Sequence, residues 1–259
     1  MNPSFSITLI RPQMGENIGS AARNMANFGL SDLRLVAPRD GWPNPKAADT
    51  AGRALNVIDD AKLFATTAEA VADAHFVLAT TARDRAVNMP VTTPREVMPE
   101  LRAKIAAGQK VSILFGPERT GLKNEDIALA DAILTVPVSE QYSSLNIAQA
   151  VGVVAYEWWI SAIDTVIPAQ AGISLEAGVS GERDSRLRGN DEELPAPREE
   201  LIGMFGQLEA ALDDANFWRV PEKKEIMWKN IRAGLMRAGF SSYEVATWRG
   251  IIRALKGHG

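Results

Sequence analysis

The chain has 259 residues and a formal net charge of −4, and its 46% hydrophobic and 23% charged residues are ordinary for a globular protein with a substantial core. Because the sequence contains no cysteine and two histidines, a disulfide framework and a thiolate or multi-histidine metal site are excluded, and no bound metal is expected. It shows no basic leader and no run of about 18 apolar residues, so we expect a cytoplasmic protein without a membrane partner.

From the N-terminus to about residue 160, short apolar runs alternate with helical periods. Phe5 to Ile10 predicts a buried strand, and the helix after it, from Asn17 to Gly29, has a suitable N-cap and a suitable glycine at its end. This alternation predicts a parallel sheet with helices on both faces. Further strands are predicted at Leu33 to Ala37, Val57 and Ile58, Ala74 to Thr80, Val111 to Phe115 and Ala132 to Val138, and further helices from Ala47, Thr67, Thr93 and Leu145.

Composition changes after Ser161. Residues 163–197 are rich in Gly, Pro, Ser and charged residues and show no sustained period, which predicts a flexible insert. Helical periodicity returns in residues 198–259. The chain is therefore predicted to divide into an α/β domain at 1–162, the insert, and a small all-helical domain, with few contacts between the two domains.

The end of the chain is its basic part. Residues 217–259 carry nine basic and three acidic side chains, although the whole chain is acidic. Clustered positive charge indicates a polyanion partner such as RNA, but an ordinary solvated helix face explains it equally well. The candidate RNA-binding residues here are Lys223, Lys224, Lys229 and Arg232.

Two clusters of small and polar residues follow predicted strands. NIGSAARN at 17–24 gives a thin helix surface, which either packs against another helix or lets a ligand approach beside Arg23. TTARDR at 80–85 places hydroxyl and guanidinium groups at the end of a strand. Arg83 and Arg85 suit a phosphate group, and an exposed salt-bridged loop is the equal alternative.

A third cluster joins FGPERTGL at 115–122 with YSSLN at 142–146. The glycines permit tight turns, and a serine before the long apolar helix either caps that helix or binds polar ligand atoms. The helix itself, Leu145 to Ile160, is apolar on nearly every side. Because one packed face needs less apolar surface than this, we expect a buried interface and a homodimer.

The order of the clusters is more specific than any one of them. NIGSAARN, FGPERTGL and VPVSEQYSSLNIAQAVGVVAYE resemble the three motifs of the TrmH-class SPOUT RNA 2′-O-methyltransferases, over about residues 5–160. The helical extension also matches the TrmJ branch, which methylates the ribose of nucleotide 32 in the tRNA anticodon loop. The resemblance implies a sheet whose C-terminal part forms a deep trefoil knot, whereas periodicity alone favours an open Rossmann-like sheet, because knots are nearly absent from folds.

The resemblance also implies a cofactor, a substrate and site residues. S-adenosyl-L-methionine is the expected methyl donor and tRNA the expected partner. Arg23 is the expected catalytic residue; Ser144 would orient the ribose, Glu118 would orient Arg23, and Asn17 also matches. An Arg is a poor proton acceptor, so Arg23 either activates the hydroxyl or stabilises the developing alkoxide. The implied cofactor-binding residues are Thr80, Thr81, Ala82, Gly116, Val136, Ser143, Ser144, Leu145 and Asn146.

Three other functions are alternatives to a tRNA 2′-O-methyltransferase. A methyltransferase of the same class acting on rRNA or another RNA has the same motifs. A non-catalytic RNA-binding protein on this fold is disfavoured because the polar residues of all three motifs are present. A nucleotide-dependent oxidoreductase is disfavoured because the sequence lacks a G-x-G-x-x-G fingerprint with a downstream acidic residue.

Overall fold

The computed structural model describes residues 4–81, 89–139, 141, 144–164, 194–218 and 220–256. The strands in these residues are β1 (Ser6–Ile10), β2 (Leu33–Val36), β3 (Lys62–Phe64), β4 (Phe76–Thr80), β5 (Val91–Thr92), β6 (Val111–Phe115) and β7 (Ala132–Leu134). They form one parallel sheet in the order β3-β2-β1-β6-β4-β7-β5. This confirms the predicted α/β class, while the knot stays a prediction.

Helices cover both faces of the sheet, as the strand sequences require. Along β4, Leu78 packs into one core cluster, whereas its neighbours Val77 and Ala79 pack into another on the opposite face. Each face therefore needs apolar cover. The helices of this part of the chain are α1 (Gly15–Asn27), α2 (Pro45–Ala51), α3 (Leu55–Asp59), α4 (Thr67–Ala70), α5 (Pro94–Ala106), α6 (Asn124–Ile127) and α7 (Ile147–Asp164).

The polar residues of the central strands are satisfied inside the sheet. Thr8 of β1 and Ser112 of β6 are fully buried, and their hydroxyl oxygens lie 2.9 Å apart. Ser6 donates a hydrogen bond of 3.4 Å to the carbonyl of Val111. The two strands are thus joined by side chains as well as by the backbone ladder, which holds their C-terminal ends side by side.

The C-terminal helices are α8 (Arg198–Asp214), α9 (Lys224–Met236) and α10 (Ser242–Lys256). They share a small core of their own, which includes Leu201 and Phe205 of α8 and Val245 and Ile252 of α10. This agrees with the periodicity seen in the sequence. Most of the predicted insert at 163–197 lies outside the described residues.

An ion pair between Arg198 and Asp131 binds the C-terminal helices to the N-terminal ends of strands β4 and β7. Arg198 is 1% exposed, and its guanidinium contacts the carboxylate of Asp131, which also accepts a hydrogen bond of 2.7 Å from the amide of Val77. The backbone amide of Arg198 donates to the carbonyl of Ala74 at 2.8 Å. The contacts between the two parts are thus few, as expected, but they include an ion pair in which each charge needs its partner.

Some predicted elements differ from the structure. Val57 and Ile58 lie in α3 and not in a strand; both are buried under α1, and two apolar residues cannot distinguish a buried helix from a strand. The strand predicted to reach Val138 ends at Leu134. Two short edge strands, β3 and β5, were missed because their residues are largely exposed.

No helix in the described part of the chain has the length and apolar character needed to cross a membrane.

Candidate active site

A cleft of about 190 Å³ opens at the C-terminal ends of β4, β6 and β7 and is closed by the start of α7. This edge is where parallel α/β sheets bind ligands. Apolar side chains of Leu134, Val136 and Ile147 line one part of it, and Ser144 and Glu118 bring polar groups. The predicted residues that line the cleft are Thr80, Thr81, Gly116, Glu118, Val136, Ser144 and Leu145.

The loop after β6 fits the cleft because Gly116 has no side chain. A Cβ at Gly116 would lie 2.3 Å from the amide nitrogen of Leu122, so the loop doubles back directly onto it. Gly121 has a φ of +66° and donates its amide to the carbonyl of Pro117 at 2.8 Å. The two glycines are thus needed for the turn itself.

The end of β4 is tied to the strands on either side of it. The hydroxyl of Thr80 donates to the carbonyl of Leu114 in β6 at 2.8 Å, and the amide of Thr81 donates to the carbonyl of Leu134 in β7 at 3.2 Å. These bonds fix the floor of the cleft. Arg83, Arg85 and Ala82 of the same motif, and Ser143 of the third motif, lie outside the described residues.

A chain of hydrogen bonds joins the three motifs. Asn17 of α1 donates to the carboxylate of Glu118 at 2.5 Å, and its side-chain oxygen accepts from the amide group of Asn146 at 3.0 Å. The second carboxylate oxygen of Glu118 accepts from the backbone amide of Gln13 at 3.3 Å. Residues that are more than 100 positions apart are thereby fixed at the entrance to the cleft.

Asn146 also caps the helix that closes the cleft. Its side-chain oxygen accepts from the amide of Ala148 at 2.8 Å, while its own backbone amide donates to the side chain of Gln149 at 3.1 Å. Asn146 thus caps the first turn of α7 through Ala148, and Gln149 returns a hydrogen bond to the cap residue. The cap of α7 is therefore Asn146 and not a serine, and Ser144 is exposed at the cleft.

Arg23 lies beside the cleft and does not line it. Its side chain is exposed on α1 and forms no hydrogen bond or ion pair with the described residues. The expected contact with Glu118 is absent among them; the two oxygens of Glu118 accept instead from Asn17 and Gln13. The neighbouring Asn24 donates to the carbonyl of Ala148 at 2.7 Å, which places this turn of α1 against the first turn of α7.

The thin surface of α1 is a packing surface. A Cβ at Gly19 would lie 2.3 Å from the carbonyl oxygen of Ala47, and one at Gly15 would overlap the side chain of Asn44. On this face, the helix-packing alternative for the NIGSAARN cluster is confirmed. Close contact between α1 and α2 in turn presents Asn17 towards Glu118.

The basic side chains of the helical part differ in their surroundings. Lys224 binds Asp213 at 2.7 Å, and Arg232 donates to the carbonyl of Ala128 at 3.2 Å and lies 5.3 Å from the ring centre of Phe205. Burial lowers the pKa of Arg232. These two groups are engaged within the fold, whereas Lys223 is exposed and Lys229 is half-buried beside an interdomain cavity.

Sequence reasoning missed one residue that lines the cleft and one ion pair that does not line it. Arg119 lines it directly beside Glu118, and its place inside the FGPERTGL motif was the available signal. Arg11 binds the buried carboxylate of Asp126 at 2.5 Å, which also accepts from the hydroxyl of Thr67 at 2.6 Å. Nothing in the spacing of these three residues predicts that they meet.

Known proteins resemble this chain in sequence and in fold. The model of the SpoU rRNA Methylase family matches residues 4–156. The crystal structure of TrmJ from Z. mobilis ZM4 superposes with a TM-score of 0.81 and 44% sequence identity, covering 98% of this chain and 99% of that one.

Two curated relatives have similar sequences. The tRNA (cytidine/uridine/adenosine-2′-O-)-methyltransferase TrmJ of Pseudomonas aeruginosa (strain UCBPP-PA14) is 32% identical over 95% of this chain and 91% of its own. The uncharacterized tRNA/rRNA methyltransferase LasT of Escherichia coli (strain K12) is 41% identical over 59% of this chain and 67% of its own. The motifs, the cleft and these matches lead to one conclusion: the chain belongs to the SpoU rRNA Methylase family.

Proposed function

We propose that the chain is an S-adenosyl-L-methionine-dependent tRNA ribose 2′-O-methyltransferase that acts on a cytidine or uridine at nucleotide 32 of the anticodon loop. The observation that carries the proposal is the cleft at which Glu118, Asn17 and Asn146 join all three motifs. The choice of tRNA is supported by the Pseudomonas TrmJ, whose name states tRNA as its substrate and which matches nearly the whole chain.

The lining of the cleft suits S-adenosylmethionine. Leu134, Val136 and Ile147 offer an apolar surface for a purine ring, while Thr80 and Thr81 are held in place by the neighbouring strands. Gly116 keeps the loop backbone close to the cleft. When bound there, the cofactor supplies an electrophilic methyl group on a sulfonium sulfur.

The residues around the cleft then have distinct roles in the transfer. Transfer to a ribose 2′-hydroxyl would need that hydroxyl to be held in line with the methyl group and its proton to leave to phosphate or water. Ser144 orients the ribose, and Arg23 stabilises the negative charge that develops on the oxygen. Asn17 and Glu118 position the motifs relative to one another, so catalysis is mainly positioning.

A homodimer accounts for the position of Arg23 beside its own cleft. Side chains of α7 leave an apolar stripe exposed on the side away from the core, at Val153, Tyr156, Trp159 and Ile163. Exposed apolar stripes of this kind are typical of protein interfaces. We infer that a second copy covers the stripe and that Arg23 acts at the cleft between the two copies.

The knot, the two domains and the basic residues of the C-terminal helices also have roles in the proposed function. The knot would lie in the loops that form the cleft, within a methyltransferase domain at 1–162. The helical domain at 198–259 would bind the tRNA backbone through groups such as the exposed Lys223 and the half-buried Lys229, in a cytoplasmic enzyme that needs no metal. Lys224 and Arg232 are assigned a structural role here, because their side chains are engaged within the fold.

Mass spectrometry of nucleosides and fragments from tRNA tests this function. Cells that have the gene should contain a 2′-O-methylated nucleotide 32 that is lost when the gene is deleted. Loss of a methyl group from rRNA, with tRNA unchanged, would assign the enzyme to a different RNA.

A further inference from the structure

Arg119 lies at the cleft, and its guanidinium group forms no ion pair with the described residues. Its side chain is exposed, it lines the cleft, and it forms no hydrogen bond or ion pair with the described residues. Among the described residues that line the cleft, Arg119 is the only Lys or Arg. Any oxyanion that enters the cleft therefore meets one guanidinium group that has no protein partner to give up.

The backbone that carries Arg119 is held firmly on both sides. Before it, the carboxylate of Glu118 accepts from Asn17 and Gln13, and after it, Gly121 donates to Pro117 at 2.8 Å. Further along, the amide of Lys123 donates to the buried carboxylate of Asp126 at 2.9 Å. A fixed backbone with a free side chain reduces the entropy lost when the guanidinium binds a ligand.

Two neighbouring cations at this edge of the sheet are already paired. Arg11 binds Asp126 at 2.5 Å, and Lys123 binds Glu125 at 3.3 Å. Glu118, the residue before Arg119, forms no ion pair with it; its carboxylate accepts hydrogen bonds from Asn17 of α1 and from the backbone amide of Gln13. The charge of Arg119 is thus left for a molecule that enters from solvent.

We propose that Arg119 is a positioning residue that binds a phosphodiester group of the RNA next to the ribose to be methylated; this rests on the proposed function. A guanidinium group matches two phosphate oxygens with two parallel hydrogen bonds. Such a contact carries no sequence information, but it fixes the register of the strand and so places one ribose at the cleft. The exposed position of Arg119 favours the RNA over the enclosed cofactor as its ligand.

Steady-state kinetics with the full chain test the role of Arg119. For Arg119→Ala, the KM for tRNA should rise about 10-fold, which corresponds to loss of one good contact, while kcat changes less than about 3-fold. The salt dependence of tRNA binding should become shallower by about 0.7 to 0.9 in log–log slope. Arg119→Lys should retain the wild-type salt slope, because the charge remains. Its KM for tRNA should lie between those of the wild type and Arg119→Ala, because an ammonium group cannot form the two parallel hydrogen bonds.

Lys123→Ala is the matched control, since it removes a cation from the same loop that is already paired and does not line the cleft. It should leave KM and salt slope unchanged. A neutral methylphosphonate at the linkage beside the target ribose should raise KM for the wild type and have little effect in Arg119→Ala. Circular dichroism of each variant checks folding, and Arg119→Gln, which keeps the side-chain length, repeats the test if the alanine variant unfolds.

Three results would overturn the proposal. These are an unchanged KM in Arg119→Ala, an equal effect of the methylphosphonate in both proteins, and weaker S-adenosylmethionine binding without RNA, which would assign Arg119 to the cofactor carboxylate. A wild type that methylates no tRNA would instead refute the proposed function, so the two failures are distinguishable.

Discussion

Asn17 contacts two segments that are distant in sequence, one 101 and the other 129 positions away. Its amide group donates to a carboxylate and its oxygen accepts from another amide, so both ends of the side chain are used. The family resemblance assigned Asn17, Glu118 and Asn146 to one expected site. It did not predict the hydrogen bonds between them, because it implied that Glu118 orients Arg23.

Arg23 is the residue whose loss should affect the reaction and not the fold. Arg23→Ala should lower methyl transfer by roughly 100-fold while cofactor affinity and melting temperature stay the same, because the side chain is exposed and has no partner among the described residues. Arg23→Lys should recover little, since an ammonium group lacks the bidentate fork. Single-turnover methylation measures the effect.

Arg53→Ala is the control, since Arg53 is another exposed arginine that does not line the cleft. It should methylate at the wild-type rate. If Arg23→Ala also did so, the stabilising charge would have to come from another residue.

At the scale of elements, α1 packs against α2 on one side and against α7 on the other. The small residues of its sequence predicted close packing or a ligand, and only the structure distinguishes them, since the answer depends on where α2 lies. Its helical period was visible in the sequence. By contrast, α3 was missed because two buried apolar residues carry no period.

Two glycine-to-alanine substitutions should have opposite effects on stability. Gly19→Ala would place a Cβ 2.3 Å from the carbonyl of Ala47, so α1 and α2 must separate, at a cost of about 1–3 kcal/mol. At Gly206, within α8, a Cβ meets nothing within 4 Å, and Gly206→Ala should stabilise by about 0.5–1 kcal/mol. Denaturant unfolding compares them. Equal and small effects of both would show that α1 and α2 are not in close contact.

At the scale of the whole molecule, the helical domain is joined to the sheet at the edge opposite the cleft. Arg198 and Asp131 form this junction, and the Asp131 carboxylate binds the amide of Val77 as well. The sequence predicted both domains from their periods. It could not predict the junction, because a single arginine at a helix start reads as a solvated residue.

Arg198→Met should destabilise the full chain by about 3–5 kcal/mol, because it leaves the Asp131 carboxylate, whose side chain is only 17% exposed, without its cation. Adding Asp131→Asn removes that charge and should recover most of the loss, as Asn still offers an oxygen to Val77. Thermal or denaturant unfolding of the two single variants and the double variant gives the coupling free energy between Arg198 and Asp131. Additive losses in the double variant would mean that the pair does not join the domains.

The proposed function is tested most directly by measuring methyl transfer from S-adenosylmethionine, catalysed by the purified full chain, to two tRNAs that differ in one atom. One carries ribose at nucleotide 32 and the other carries 2′-deoxyribose there. The proposed function predicts one methyl group on the first tRNA, located by mass spectrometry on the ribose of nucleotide 32, and none on the second. Equal methylation of both tRNAs, or a methyl group on a base, would contradict it.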